Sequence, residues 1–188
     1  MHRHDMPDSL LLPPLSKVIE HEGKGNFAIK RYYKWPFSFF YRHKLKMILD
    51  MMDSNRTYSH ILDFGCGPAM IFNETLKKRA SKVTGIDVND EIGTKKEYDL
   101  IVCASSLEFV NNLDYTLKRL NKLLLPGQAL IGASPMQNRI TRFYFDLIGD
   151  KNIRNPHQMI LNSLHRNFFL VRKKEWFGLY FSWKAYAK

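Results

Sequence analysis

The fold turns on His60-Ile61-Leu62-Asp63-Phe64-Gly65-Cys66-Gly67-Pro68 and, further on, Lys82-Val83-Thr84-Gly85-Ile86-Asp87. The run from His60 to Phe64 reads as a short buried strand. It ends in a glycine pair where a strand turns into a helix, read here over Ala69 to Ala80. Glycine at such a turn allows tight backbone geometry and lets a ligand approach the main chain. Lys82 to Asp87 reads as a second strand, with Asp87 at its tip, 22 residues after Gly65. A carboxylate in that position can accept both hydroxyls of a ribose. Together these features describe a nucleoside-containing cofactor lying across the C-terminal ends of parallel strands.

The glycine spacing narrows the cofactor. A dinucleotide fingerprint requires G-x-G-x-x-G, whereas this run continues Gly67-Pro68-Ala69-Met70 without a third glycine. Pro68 also removes a main-chain N–H that a pyrophosphate site would use. NAD and FAD are therefore disfavoured, and a nucleoside cofactor without phosphates fits better.

Outward from this core, Pro36 to Met52 has apolar residues at three- and four-residue spacing and reads as an amphipathic helix, with proline in its first turn. Tyr98 to Ala104 is a near-continuous apolar strand. Leu113 to Leu124 is a helix, Pro126-Gly127 a turn, and Gln128 to Ala133 a strand. Helices are read over Ile140 to Ile148 and Pro156 to Leu164. Phe168 to Trp176 and Leu179 to Ala187 are two strands with no helix between them, which predicts an antiparallel hairpin at one sheet edge. The alternation predicts a mostly parallel α/β sheet covered on both faces. One domain is expected over 1–188: an arm over 1–35, a cofactor-binding core over 36–135, and basic C-terminal helices and hairpin over 136–188.

Composition sets the outer limits. The chain has 188 residues, is 45% hydrophobic and 25% charged, and carries a net charge of +11. Such usage suits a folded domain and excludes wholesale disorder. Residues 151–188 hold eight bases and one acid, while 61–100 hold six and seven. The basic excess belongs mainly to the C-terminal fifth, which either solvates an exposed hairpin or faces an anionic partner such as nucleic acid. Two cysteines, Cys66 and Cys103, exclude a disulfide scaffold and suit a reducing cytoplasm. No metal-ligand spacing occurs among the histidines, so no metal site is expected. No run approaches the apolar length of a membrane span.

Four motifs in order resemble the class I S-adenosylmethionine-dependent methyltransferases, especially their broad type 11 group. They are Asp63-Phe64-Gly65-Cys66-Gly67, the acid Asp87, the strand from Tyr98 with its loop Ala104-Ser105-Ser106-Leu107-Glu108-Phe109-Val110, and Leu123-Leu124-Leu125-Pro126-Gly127-Gln128. The resemblance implies a Rossmann-like three-layer sandwich whose last strand inserts antiparallel, and S-adenosyl-L-methionine as cofactor. Gly65 and Gly67, with Cys66 between them, would line its methionine moiety. Asp63 would hold the amino group, Asp87 the ribose, and the Ala104-Ser105 main chain the amino-acid end.

One departure is large. Only ten residues separate Asp87 from Tyr98, where the family places a helix, a strand and another helix. Ten residues can cross back along a sheet but cannot also build a strand and its helix. One edge strand is therefore expected to be missing. That strand supplies adenine contacts in the family, which leaves Val88 and Ile92 to cover the base.

On the acceptor side, Glu108 can act as a general base or as a capping or solvated carboxylate. Tyr32, Tyr33, Trp35 and Phe37 either line the substrate pocket or pack the first helix. The resemblance implies methyl transfer to a small-molecule or lipid-like acceptor, with negative charge suggested by the basic balance. A non-catalytic binding protein of the same fold, and a nucleic-acid-binding methyltransferase, are the alternatives. The loop Ala104-Ser105-Ser106-Leu107 lacks the NPPY-like motif of amino-methylating nucleic-acid enzymes.

Overall fold

The structure, a computed structural model, describes residues 33–67, 70–95, 97–148 and 153–188. Tyr32, Pro68, Ala69 and nearly all of the 1–35 arm lie outside them. In chain order the elements are α1 (Phe37–Leu49), β1 (Tyr58–Phe64), α2 (Asn73–Leu76), β2 (Ala80–Ile86), β3 (Tyr98–Ala104), α3 (Leu113–Leu123), β4 (Leu124–Pro135), α4 (Arg139–Ile148), α5 (His157–Asn167), β5 (Phe168–Trp176) and β6 (Tyr180–Ala187).

The strands form one six-stranded sheet in the order β2-β1-β3-β4-β6-β5. The first four are parallel, while β6 runs antiparallel to both β4 and β5. Side chains of a strand alternate between faces, and the inner strands are apolar on both. Leu62, Ile101, Cys103 and Leu130 thus join a core with α3 and α5. Ile61, Leu100, Val102 and Ile131 join a second core with Leu45 and Ile48 of α1 and Leu76 of α2. The result is a three-layer sandwich. Trp183 of β6 lies so close to Gly132 of β4 that a Cβ there would sit 2.4 Å from its ring. Only a residue without a side chain fits between the indole and the neighbouring strand.

The expected missing strand is absent among the described residues. β2 pairs only with β1 and forms the sheet edge. The described residues of the connection from Asp87 to β3 form no regular structure. The connection is tied down by Arg119 of α3, which donates to the carbonyls of Ile92 (2.5 Å) and Gly93 (3.0 Å).

Two local expectations need correction. The helix expected over Ala69 to Ala80 shrinks to the four residues of α2. Met70 takes a left-handed φ of 45°, which breaks the helical run. At the far end Tyr58 N–H donates to the Arg79 carbonyl at 2.9 Å, drawing the chain into β2. Pro126-Gly127 is also no separate turn. It lies inside β4, where Leu124 already pairs with Tyr98 and the register slips before Leu100 pairs with Ala129. Gly127, at φ 71°, absorbs that irregularity.

Candidate active site

The parallel strands deliver Asp63, Asp87, Ala104 and Pro135 to one edge of the sheet. At the end of β1, Gly65 takes φ 79° and Gly67 φ 63°. The amides of Gly65 and Cys66 both donate to the Ile86 carbonyl, at 2.7 and 3.2 Å, and so lock the turn onto β2. A Cβ on Gly65 would meet Ser106 Cβ at 2.2 Å and Val88 Cγ1 at 3.1 Å. A Cβ on Gly67 would meet nothing within 4 Å among the described residues. The turn is therefore packed on one side and open on the other.

Asp63 sits under this turn, 1% exposed, and neither carboxylate oxygen has a hydrogen-bond partner among the described residues. Burial raises its pKa to about 7, against the lowering pull of Lys44. An orphaned buried carboxylate costs free energy unless something cationic or donating meets it. Asp87 is half-buried at the tip of β2, and its Oδ1 accepts from the Asn89 amide and side chain, both at 3.3 Å. Val88 and Ile92 are partly buried against the α3-side core. Cys66 packs toward Gly85, and burial, with Asp63 and Asp87 nearby, drives its thiol up to about 12. It carries no thiolate near neutral pH.

Across from the glycine turn, β3 ends in Ala104 and Ser105, the latter at a left-handed φ of 62°. Ser105 Oγ accepts from Lys44 Nζ of α1 at 3.0 Å. Glu108 follows, 1% exposed. Ser134 Oγ of β4 donates to its Oε2 at 2.9 Å, Ser105 also lowers its pKa, and Oε1 meets no other hydrogen-bond partner among the described residues. Burial raises the Glu108 pKa to about 7, opposed by its backbone contacts, Ser134 and Lys44. The loop is braced from behind. Asn155 Nδ2 donates to the carbonyls of Leu107 and Val110 (2.9 and 2.8 Å), and the amides of Arg154 and Asn155 donate to the Glu108 carbonyl.

Two buried carboxyls thus share one buried cation, Lys44, itself 5% exposed. Sequence reading missed Lys44, Ser134 and Asn155. For Lys44 a signal existed: it lies four residues from both Phe40 and Ile48, in the apolar stripe of its helix. A lysine there is either snorkelling or paired.

The aromatic residues before α1 divide. Tyr33 is half-buried against the α1-side core, and burial pushes its hydroxyl to about 12. Trp35 is 84% exposed and is not brought into the site. The C-terminal basic excess is partly spent within the fold. Arg166 pairs with Asp114 (2.8 Å), Lys173 with Glu175 (2.6 Å), Lys174 with Asp50 (3.6 Å) and buried Lys184 with Asp53 (2.5 Å). Among the described residues, no three His, Cys, Asp or Glu gather as metal ligands do, and no helix is long and apolar enough to cross a membrane.

Comparison with known proteins agrees with this arrangement. A family model described as a methyltransferase domain matches residues 37–169. No curated protein matches the sequence. Among solved structures, the chain is similar to the N-methyltransferase NodS from Bradyrhizobium japonicum WM9, in complex with S-adenosyl-L-homocysteine. The TM-score is 0.64 at 16% identity, over 92% of this chain and 97% of that one. A Thermotoga maritima methyltransferase, described as a possible histamine N-methyltransferase, matches with a TM-score of 0.60 at 15% identity, over 85% and 96% of the two chains. A methyltransferase from Aquifex aeolicus matches with 0.59 at 15% identity, over 88% and 100%.

Proposed function

This chain belongs to the S-adenosylmethionine-dependent methyltransferase family, and from that premise we propose that it transfers a methyl group to a small-molecule or lipid-like acceptor. The observation that carries this reading is the Asp63 carboxylate, buried with no partner among the described residues beneath a glycine turn where a Cβ on Gly67 would meet none of them. These features fit the cofactor. Asp63 holds its amino group, Gly65, Cys66 and Gly67 present main chain to its methionine end, and the Ala104-Ser105 main chain flanks that end. Asp87 takes the ribose hydroxyls, and Val88 with Ile92 covers the base in place of the missing strand.

When bound, S-adenosylmethionine supplies an activated methyl group on a sulfonium centre. The protein's part is then to orient the acceptor, exclude water and receive a proton. Glu108 is the base: its Oε1, with no other partner among the described residues, accepts the proton of an acceptor hydroxyl or ammonium, and a pKa near 7 suits that task at neutral pH. Ser134 fixes the other oxygen. Lys44 holds Ser105 and stabilises the ionised form of both carboxylates.

Incubation with methyl-labelled S-adenosylmethionine and separate pools of anionic small metabolites and extracted lipids tests the acceptor class. Label in neither pool, with cofactor binding intact, would overturn it. The glycine turn gives an independent check. Gly67→Ala meets no atom of the described residues, so stability should fall by only about 1–2 kcal/mol, the cost of a left-handed alanine. Its methyl group enters the open side of the turn, so cofactor affinity should drop at least roughly tenfold. Gly65→Ala drives Cβ into Ser106 and should lose both stability and binding. Melting curves with and without cofactor separate the two variants.

A further inference from the structure

We propose that the strand C-terminal edge of this protein docks on an anionic lipid bilayer, so that the acceptor enters the site from that surface. The proposal rests on the reading of the site as a methyltransferase acceptor pocket and extends it to where the acceptor comes from. Among the described residues, ten large hydrophobic residues are exposed. Only Leu125 and Phe169, at the starts of β4 and β5, lie at the opposite edge of the sheet. The others lie on the glycine turn, around the N-termini of α1, α3, α4 and α5, and on the β5–β6 turn. Elements at that edge also carry Asp63, Ser105 and Glu108.

The densest part surrounds the turn between the end of β5 and the start of β6. Trp35, Phe39, Ile140, Phe143 and Phe177 are all exposed there, Phe177 at 83%. Phe39 and Phe177 are held in place rather than loose. Trp176 stacks on His43 with centroids 3.9 Å apart, and Phe39 and Phe177 pack on Trp176 at 5.9 and 5.6 Å. Asn138 donates to the Gly178 carbonyl, joining the start of α4 to the β5–β6 turn. Phe177 and Gly178 both have positive φ, 45° and 66°, as in a type I′ turn. That first position favours asparagine or glycine. A phenylalanine there bears backbone strain and offers its ring to water, an arrangement with no return in the fold beyond one ring contact.

Charge selects the occupant. Exposed Lys34, Arg139 and Arg142 stand among these apolar residues. The first turns of α1, α4 and α5 contain no acid, so their helix dipoles add positive potential. Of the acids at this edge, Asp114 in the first turn of α3 is paired with Arg166, Glu175 at the end of β5 is paired with Lys173, and Asp87, Asp90 and Glu91 belong to the far side beside β2. Aromatic rings flanked by cations suit the headgroup region of an anionic membrane.

The test is co-sedimentation of the full chain with phosphatidylcholine vesicles with and without phosphatidylglycerol. The proposal expects binding to the anionic vesicles with a blue shift of Trp35 emission. Partition should be roughly tenfold weaker for neutral vesicles and for the double variant Phe143→Asp, Phe177→Asp. Equal binding by that variant overturns the proposal, as does no binding to anionic vesicles. Binding lost only on charge reversal of Arg172, Lys173 and Lys174 overturns it too, because the contact then belongs to the β5 edge. Calorimetry with S-adenosylmethionine on the same samples reports the cofactor site separately, so a failed docking surface is distinguished from a failed methyltransferase reading.

Discussion

Raising the pH from 5 to 8 should destabilise the ligand-free protein, and Asp63→Asn should remove much of that dependence. Asp63 and Glu108 both hold their protons more tightly folded than unfolded, with folded values of about 7 set mainly by burial. Across roughly pH 4 to 7 the native state keeps protons that the unfolded chain has released. Stability is therefore greatest at the acid end of that window and is lost as pH rises through 7. For Asp63 alone the loss between pH 5 and 8 is on the order of 3 kcal/mol. Asparagine keeps the shape without the charge, so the variant should melt higher than the parent at pH 8 and close to it at pH 5. It should also lose cofactor affinity, because the orphaned carboxylate is the group proposed to hold the cofactor's amino end. A variant that is more stable yet binds worse is expected where a site carries a charge it cannot satisfy alone. Denaturant melts at several pH values would refute this if parent and variant ran parallel.

The second large effect is expected at Lys44. Lys44 is 5% exposed, its charge acts on two buried carboxyls, and its ammonium donates to Ser105. Lys44→Met removes the cation while keeping much of the stem, so both carboxyls should titrate higher. At pH 7 less Glu108 is then ionised, and the methyl-transfer rate should fall roughly tenfold to a hundredfold. The loss should shrink at higher pH, where Glu108 ionises again. A rate profile displaced toward alkaline pH marks Lys44 as a positioning residue acting through charge. An equal loss at every pH would mean that its role is only to pack α1.

Much of this arrangement was legible because it lies within short stretches of chain. The apolar run of β3 matches its strand from Tyr98 to Ala104, and the glycine turn and Asp87 stand together at the C-terminal edge of the strands, where the cofactor is proposed to lie. The missing strand followed from a residue count, since ten residues cannot both cross a sheet and add to it. The errors arose where tertiary contacts overrode local pattern. The helix after Gly67 stops at one turn because Met70 is left-handed and Arg79 is drawn toward β2. The β4 strand swallows Pro126-Gly127 because Leu124 pairs with Tyr98. Lys44, Ser134 and Asn155 were hidden for another reason. Each reaches the Glu108 loop from a different element, and no local periodicity records such a meeting. Trp35 shows the converse: an aromatic beside a site in sequence that faces water in the fold.

The central claim is that a sheet shortened on its adenine side still binds S-adenosylmethionine through Asp63, the glycine turn and Asp87. Titration calorimetry of the full chain with S-adenosylmethionine tests it most directly. The account predicts saturable heat in the parent protein and its loss in Asp87→Ala. No heat at millimolar cofactor would contradict it and leave a methyltransferase fold that only binds a partner.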